Sequence, residues 1–340
     1  MNKLYIIVIL CLLIMAGCCP ETIKFPHETS LDQQLMPLQG ITNPIRVDIK
    51  YPYLILQNMK LQDSLFHIYN LSDQKLVYAF GTKGQSPKEY AAPWLFQTQT
   101  SNVLIGDIGK RQINYYNIDK DKGFLLQNSK NAKYINGIND AAFINDSLFI
   151  IDDKYASPNI QLLNIDNEIP LKTWCYRNSN ILDYMADPNM GNVYANDNRI
   201  VFCYGYKKQI DFMDINFNLI KRLNFDNSVS QIKNTSEGQG DEKICYIYAY
   251  LGKKYLYALF LGTSWNENRA NSTCGTILEV FDLDGNPKAK YHLKGRRPVY
   301  FAVDERNSVL YGAGENGEPE DHLIVYHLNG LSSVSYTHLR

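Results

Sequence analysis

Apolar and polar positions alternate along most of this chain in short bursts, and one burst recurs. An alternating apolar segment leads into Asn or Asp, then Ile or Leu, then a turn residue. The copies are Leu65-Phe-His-Ile-Tyr-Asn70, Ile113-Asn-Tyr-Tyr-Asn117, Ile160-Gln-Leu-Leu-Asn164, Ile210-Asp-Phe-Met-Asp214, Leu278-Glu-Val-Phe-Asp282 and Leu323-Ile-Val-Tyr-His327, the last with His at the anchor. The anchors are 47, 47, 50, 68 and 45 residues apart. Period-2 alternation bounded by turn residues predicts strands, and self-similarity at a fixed period predicts a repeat architecture.

Each copy has a second strand upstream: Tyr53–Gln57, Val103–Asp107, Leu148–Asp152, Ile200–Tyr204, Tyr255–Phe260 and Val309–Gly312. A polar or Pro turn precedes it, and a further strand follows the first five anchors, as at Leu219–Phe225 and Pro287–Leu293. One unit is therefore a four-stranded antiparallel meander. Such a unit cannot bury both faces alone, and radial stacking solves this. The fold expected is all-β: a six-bladed β-propeller of four-stranded antiparallel blades over residues 39–330, in preference to a β-sandwich. The long interval of 68 holds two polar stretches, Asn227–Lys243 and Ser264–Cys274, which read as loops inserted at blade five. The sixth unit has no outer strand after His327, and an N-terminal segment such as Thr22–Phe25 is expected to supply it.

The N-terminus has a different pattern. Met1-Asn-Lys3 precedes an apolar run from Leu4 to Met15, then Ala16-Gly17 and Cys18. A positive start, a short apolar run and small residues at the cut form a secretory signal, and the run is too short for a spanning helix, which needs about 20 residues. Residues 1–17 are thus expected to be a cleaved signal peptide. Met15-Ala16-Gly17-Cys18 resembles the bacterial lipobox, with Met in place of the usual Leu, so Cys18 is the expected lipidation site and Cys19 its competitor. Residues 18–38 read as a lipidated tether. Cys19 at the following position lacks the Asp of inner-membrane retention, which favours the outer membrane. At the other end, residues 331–340 read as a non-native or truncated tail.

Composition adds limits. The chain has 45% hydrophobic and 20% charged residues, 25 Tyr against 7 Met, and a net charge of −1. A folded β-rich core fits; a nucleic-acid footprint does not. Cys175, Cys203, Cys245 and Cys274 leave their disulfide state open, with Cys203 in an apolar strand pattern that suits a buried thiol.

The lipobox, the six units and Phe80-Gly81-Thr-Lys-Gly84-Gln-Ser-Pro87-Lys-Glu89-Tyr90 together resemble the TolB-like six-bladed propeller lipoproteins of Bacteroidota. Members tend to carry Phe-Gly-x-x-Gly-x-Gly-Pro-x-Glu-Phe, so Ser86 and Tyr90 are departures. The resemblance implies fold and envelope location; it brings no established activity.

Candidate chemistry is sparse. Asp107 and Asp152 close the second strands of blades two and three, and with Arg111 they are candidate channel or ligand residues; each carboxylate equally suits turn amides. Asn117–Gly123 and Asp282–Asn286 start like calcium loops but lack the closing Glu, and they suit hairpin turns. Glu315, Glu318, Glu320 and Asp321 form an acidic loop. Asp63-Ser64-Leu65 and Asp146-Ser147-Leu148 match a short O-glycosylation sequon, marking Ser64 and Ser147. No metal site, cofactor site, hydrolase elbow or P-loop is present in the sequence. The expected function is an envelope-anchored, non-catalytic binding or scaffold module for a protein or glycan partner. The alternative is a propeller enzyme, glycan lyase or hydrolase-like, with its site at the central channel.

Overall fold

The computed structural model describes residues 23–331, except 41–42, 120–122, 133–140, 155, 167–168, 182, 226–240 and 271–274. The signal peptide, Cys18, Cys19, Cys274 and the tail from 332 lie outside the described residues.

Six antiparallel four-stranded blades are formed. Blade one comprises β3 (Pro44–Lys50), β4 (Tyr53–Asn58), β5 (Phe66–Asn70) and β6 (Leu76–Phe80). Blade two has β7 (Pro93–Phe96), β8 (Val103–Asp107), β9 (Gln112–Asp119) and β10 (Gly123–Asn131). Blade three has β11 (Ala141–Phe143), β12 (Leu148–Asp152), β13 (Ile160–Asn164) and β14 (Lys172–Trp174), and blade four β15 (Gly191–Ala195), β16 (Ile200–Tyr204), β17 (Gln209–Met213) and β18 (Leu219–Asn224). Blade five holds β19 (Tyr246–Leu251), β20 (Tyr255–Phe260), β21 (Thr276–Asp282) and β22 (Pro287–Leu293). The sixth contains β23 (Pro298–Asp304), β24 (Val309–Gly314) and β25 (His322–His327). The first strand of each blade is innermost. We call the rim where these strands begin the upper rim, and the rim of their first turns the lower.

The second and third strands are almost wholly buried because both blade faces are covered. Every residue of β8, β16 and β17 is buried. Outer strands such as β6 and β18 keep exposed positions. Aromatic pairs seal the seams: Phe80–Phe124 at 4.2 Å joins blades one and two, Phe96–Phe143 at 5.0 Å two and three, and Trp174–Phe202 at 5.3 Å three and four. Phe212–Phe281 at 6.3 Å and Tyr248–Phe301 at 5.4 Å continue the series. Offset and edge-on aromatic pairs of this kind stabilise by about 0.5–1.5 kcal/mol beyond their burial.

An N-terminal segment does close the ring, but not the one expected. The outer strand of blade six is β2 (Gln34–Pro37), antiparallel to β25, and β1 (Glu28–Leu31) adds a fifth, parallel strand outside β22 on blade five. Residues 18–38 are therefore not a tether throughout; from Glu28 the chain belongs to the propeller. The segment looked like tether because a four-residue edge strand needs only one buried side chain. Met36 is that side chain, at 3% exposure, beside a half-exposed Leu35. Of the segment proposed for closure, Ile23 and Phe25 instead pack on the seam of blades four and five, where Phe25 meets Phe281 at 5.5 Å.

Of the two blade-five insertions, residues 227–240 and 271–274 lie outside the described residues, and the described part of the second falls at the upper rim. The second contains a one-and-a-half-turn helix, α1 (Trp265–Ala270), whose Trp265 packs on Tyr206, Ile244 and Leu261. Cys175 is an exposed free thiol and Cys203 a buried one; Cys245 is also buried.

His67 sits in β5 at the point where the chain leaves β2 and enters blade one. It is buried, and Gly40 would place a Cβ 3.6 Å from its Nε2. Burial holds its pKa down to about 4, against the usual 6.5. A depressed histidine stabilises the fold above pH 6.5, and that contribution is lost as the pH falls through 6.5 toward 4. The loss should reach about 3 kcal/mol. Melting temperatures measured from pH 7.5 to 4 should show this decline, and His67→Gln should flatten it. Met36→Asp should lower stability by several kcal/mol (on the order of 3 for an unpaired buried carboxylate) in a denaturant titration, whereas Leu35→Asp should be nearly neutral.

Candidate functional site

The six inner strands enclose a central cavity of about 180 Å³. A void near 150 Å³ holds a benzene-sized molecule, so this one suits a compact ligand. Its wall has contributions from β3, β7, β11, β15, β19 and β23. In β3 the sequence Pro44-Ile-Arg46-Val-Asp48-Ile-Lys50 places three charged residues at period two, on one face of the strand.

Arg46 lies toward the upper half. Its guanidinium is held between the Trp94 ring at 3.7 Å and the Tyr300 ring at 4.0 Å. The Tyr248 hydroxyl accepts a hydrogen bond from it. Burial pulls its pKa down, but an arginine remains a cation. Tyr248 in turn donates to Gln97 Oε1 at 2.7 Å, and burial pushes its phenol up to about 12, so it keeps its proton. The Gln97 amide bridges blades one and six by donating to the carbonyls of Val47 at 2.7 Å and Phe301 at 2.6 Å. Tyr194 stands edge-on to Tyr248, and its hydroxyl accepts from the Ala249 amide at 2.8 Å.

Further along β3, buried outside the cavity lining, Lys50 Nζ lies 3.1 Å from Asp48 and donates to Thr98 Oγ1 at 2.8 Å. Both charges are buried. Burial raises the Asp48 pKa and lowers that of Lys50, and their mutual attraction opposes both shifts. Gln99 donates to the Leu251 carbonyl at 2.9 Å and the Tyr250 hydroxyl at 3.2 Å. Groups that can carry charge or donate protons thus converge from four blades: Arg46, Tyr194, Tyr248 and Tyr300. The described lining holds aromatic faces, amides, Thr98 and one guanidinium, and no carboxylate, imidazole or thiol.

The carboxylates picked out from the sequence sit elsewhere. Asp107 is buried at the end of β8, where its oxygens accept from the amides of Ala91 at 2.8 Å, Ala92 at 3.0 Å and Lys110 at 3.2 Å. Asp152 accepts from Asn159 at 2.9 Å and the Tyr176 hydroxyl at 3.0 Å. Arg111 is an exposed turn residue with φ of 51°. None of the three lines the channel cavity. Asp282 organises a hairpin, accepting from the amides of Asp284 and Asn286, and Asp214 repeats the device with Asn216 and Asn218. The other calcium-like stretch is only partly described. The acidic loop is ion-paired, Glu315 to Arg297, Glu318 to Arg296 and Glu320 to Lys60. Among the described residues no cluster of three or more metal-ligating side chains occurs. Ser147 is exposed on a lower turn, and Ser64 is half-buried before β5.

The Phe80–Tyr90 stretch is the crossing from blade one to blade two. Glu89 Oε2 accepts from the Ser86 amide at 2.8 Å, and any Cβ on Gly84 would fall 2.0 Å from that oxygen. Tyr90 is buried against Phe66 at 5.5 Å. The motif holds this crossing together and does not line the channel cavity. A family model described as TolB-like 6-blade propeller-like matches residues 24–306. The chain belongs to this family. As a TolB-like propeller it is similar in architecture to a Bacteroides fragilis protein described as exported, with 11% identity, a TM-score of 0.55 and coverage of 88% of this chain and 98% of that one. It is similar also to a member of the duf4221 family from Bacteroides vulgatus, with 12% identity, a TM-score of 0.53 and coverage of 87% and 95%. At such identities the likeness shows the fold alone. No curated protein matches the chain.

Sequence reasoning missed the channel residues. The signal was Arg46-x-Asp48-x-Lys50 itself: charge at every second position of a strand otherwise apolar. A buried ion pair tolerates loss of both partners better than loss of one. Lys50→Met should therefore destabilise by about 3–5 kcal/mol, and the double variant Asp48→Leu/Lys50→Met should recover most of that in urea titrations. Equal destabilisation by the single and double variants would show that the pair is not the determinant.

Proposed function

We propose that this chain is an envelope lipoprotein, anchored through Cys18 in the outer membrane, whose propeller is a non-catalytic binding module for a glycan or protein partner. The observation that carries the binding role is the lining of the channel. Aromatic faces, side-chain amides and a clamped guanidinium are recognition groups: rings cover apolar faces of a ligand, and amides and guanidinium pair with hydroxyls or carboxylates. Arg46, Gln97 and Tyr248 are already held by neighbouring blades, so a ligand would meet them preorganised. The signal sequence and lipobox support the location.

The test has two readouts. Detergent-extracted, acylated protein is applied to a library of envelope and dietary glycan fragments and, in parallel, crosslinked in native membranes. Retention of a glycan of unchanged mass, weakened at least tenfold by Asn192→Ala on the channel wall, is the expected result; a specific crosslinked protein lost in the same variant would equally support the module. Recovery of shortened or unsaturated glycans would overturn it in favour of an enzyme. Cys18→Ala should abolish incorporation of a clickable fatty acid and release the chain from membranes.

A further inference from the structure

We propose that the lower rim of blades three and four is a membrane-contact surface, so that the ring stands edge-on to the bilayer. The inference rests on the reading that Cys18 carries the lipid. Five Cα–Cα steps, with four residues between, separate Cys18 from Ile23, which is already packed on the seam of blades four and five. Five extended steps reach at most about 18 Å. A ring of two four-stranded blades and a channel is on the order of 40 Å across, so the anchor cannot bring the far rim to the lipid while the seam stays away from it.

The exit point is set by pairing. β1 runs parallel to β22, with Glu28 opposite Lys290. The chain before Glu28 therefore lies toward the start of β22, on the side of the Asp282–Asn286 turn. That turn touches blade four, where Lys221 Nζ in β18 bonds Asn286 Oδ1 at 3.0 Å. Beside Lys221, Leu219 and Ile220 are 52% and 45% exposed. The preceding turn adds Ile215, and its Phe217 stacks on Trp174 of blade three at 6.5 Å. Next to Trp174, Ile169 and Leu171 are 76% and 51% exposed. Five large apolar side chains thus share one stretch of rim next to the anchor. Exposed Lys172 lies among them, which suits an anionic lipid surface. Lying flat on the lower face would instead press the exposed turn residues Asp73 and Asp197 against the lipid.

The test uses the full acylated chain with Cys19, Cys175 and Cys274 replaced by Ser, reconstituted into phosphatidylethanolamine–phosphatidylglycerol vesicles. An environment-sensitive fluorophore is placed at Leu219→Cys, Ile169→Cys or, on blade one, Val77→Cys; all three sites are exposed or half-exposed, and melting curves confirm folding. Leu219 and Ile169 labels should brighten at least twofold and be quenched by spin-labelled lipid, with Val77 unchanged. Co-flotation of the protein with unquenched labels at Leu219 and Ile169, or equal quenching at Val77, would overturn the edge-on contact. Failure to co-float would show that the lipid-anchor reading itself is wrong, and the inference would fall with it.

Discussion

A blade of this protein has two apolar faces and only one neighbour on each side to cover them. Every other feature depends on that constraint. The second and third strands are buried on both faces, so no blade has a solvent side to rest on, and stability comes from closing the circle. The circle is closed by four residues, Gln34 to Pro37, that reach across from the start of the chain and complete blade six. Glu28 to Leu31 then covers the edge of blade five. Two outer edges that would expose unpaired backbone groups are capped by one short segment.

Closure also makes the channel. Six inner strands converge, and side chains that point inward are confined with one another rather than with water. Charges in that place need partners of matched geometry, and the structure supplies them across blade boundaries: Arg46 between rings from blades two and six, Lys50 on Thr98 of blade two, Gln97 on carbonyls of blades one and six. The same contacts that preorganise the lining also join the blades. A recognition surface of this kind is rigid because its residues are structural.

The rim follows different rules. Outer strands bury one face at most, so they tolerate exposed Leu and Ile, and what those residues do depends on what the chain brings near them. The N-terminal segment packs on one part of the circumference, the seam of blades four and five.

Repeats, strands and turns were legible in the sequence because they are local: alternation at period two, Asp and Asn at turns, and a constant spacing survive without any tertiary contact. Val103–Asp107, Leu148–Asp152 and Ile200–Tyr204 were placed to the residue, and six units meant six blades. Of the polar stretches at blade five, the first lies mostly outside the described residues, and the second, read as a loop, forms α1 where Ser264 and Glu267 cap each other's backbone amides. The closing strand was only half legible: that the N-terminus must supply it followed from the unpaired sixth unit, but which residues do so was decided by where Met36 finds a pocket. The site was not legible. Asp107 and Asp152 were candidates because a carboxylate at a strand end suits either a ligand or turn amides, and the fold gave Asp107 backbone amides and Asp152 an asparagine and a tyrosine. Arg46, Tyr194, Tyr248 and Tyr300 come from four blades across more than two hundred residues, and nothing local says that their side chains meet. Local pattern determines the blade; only closing the ring decides which side chains share its centre.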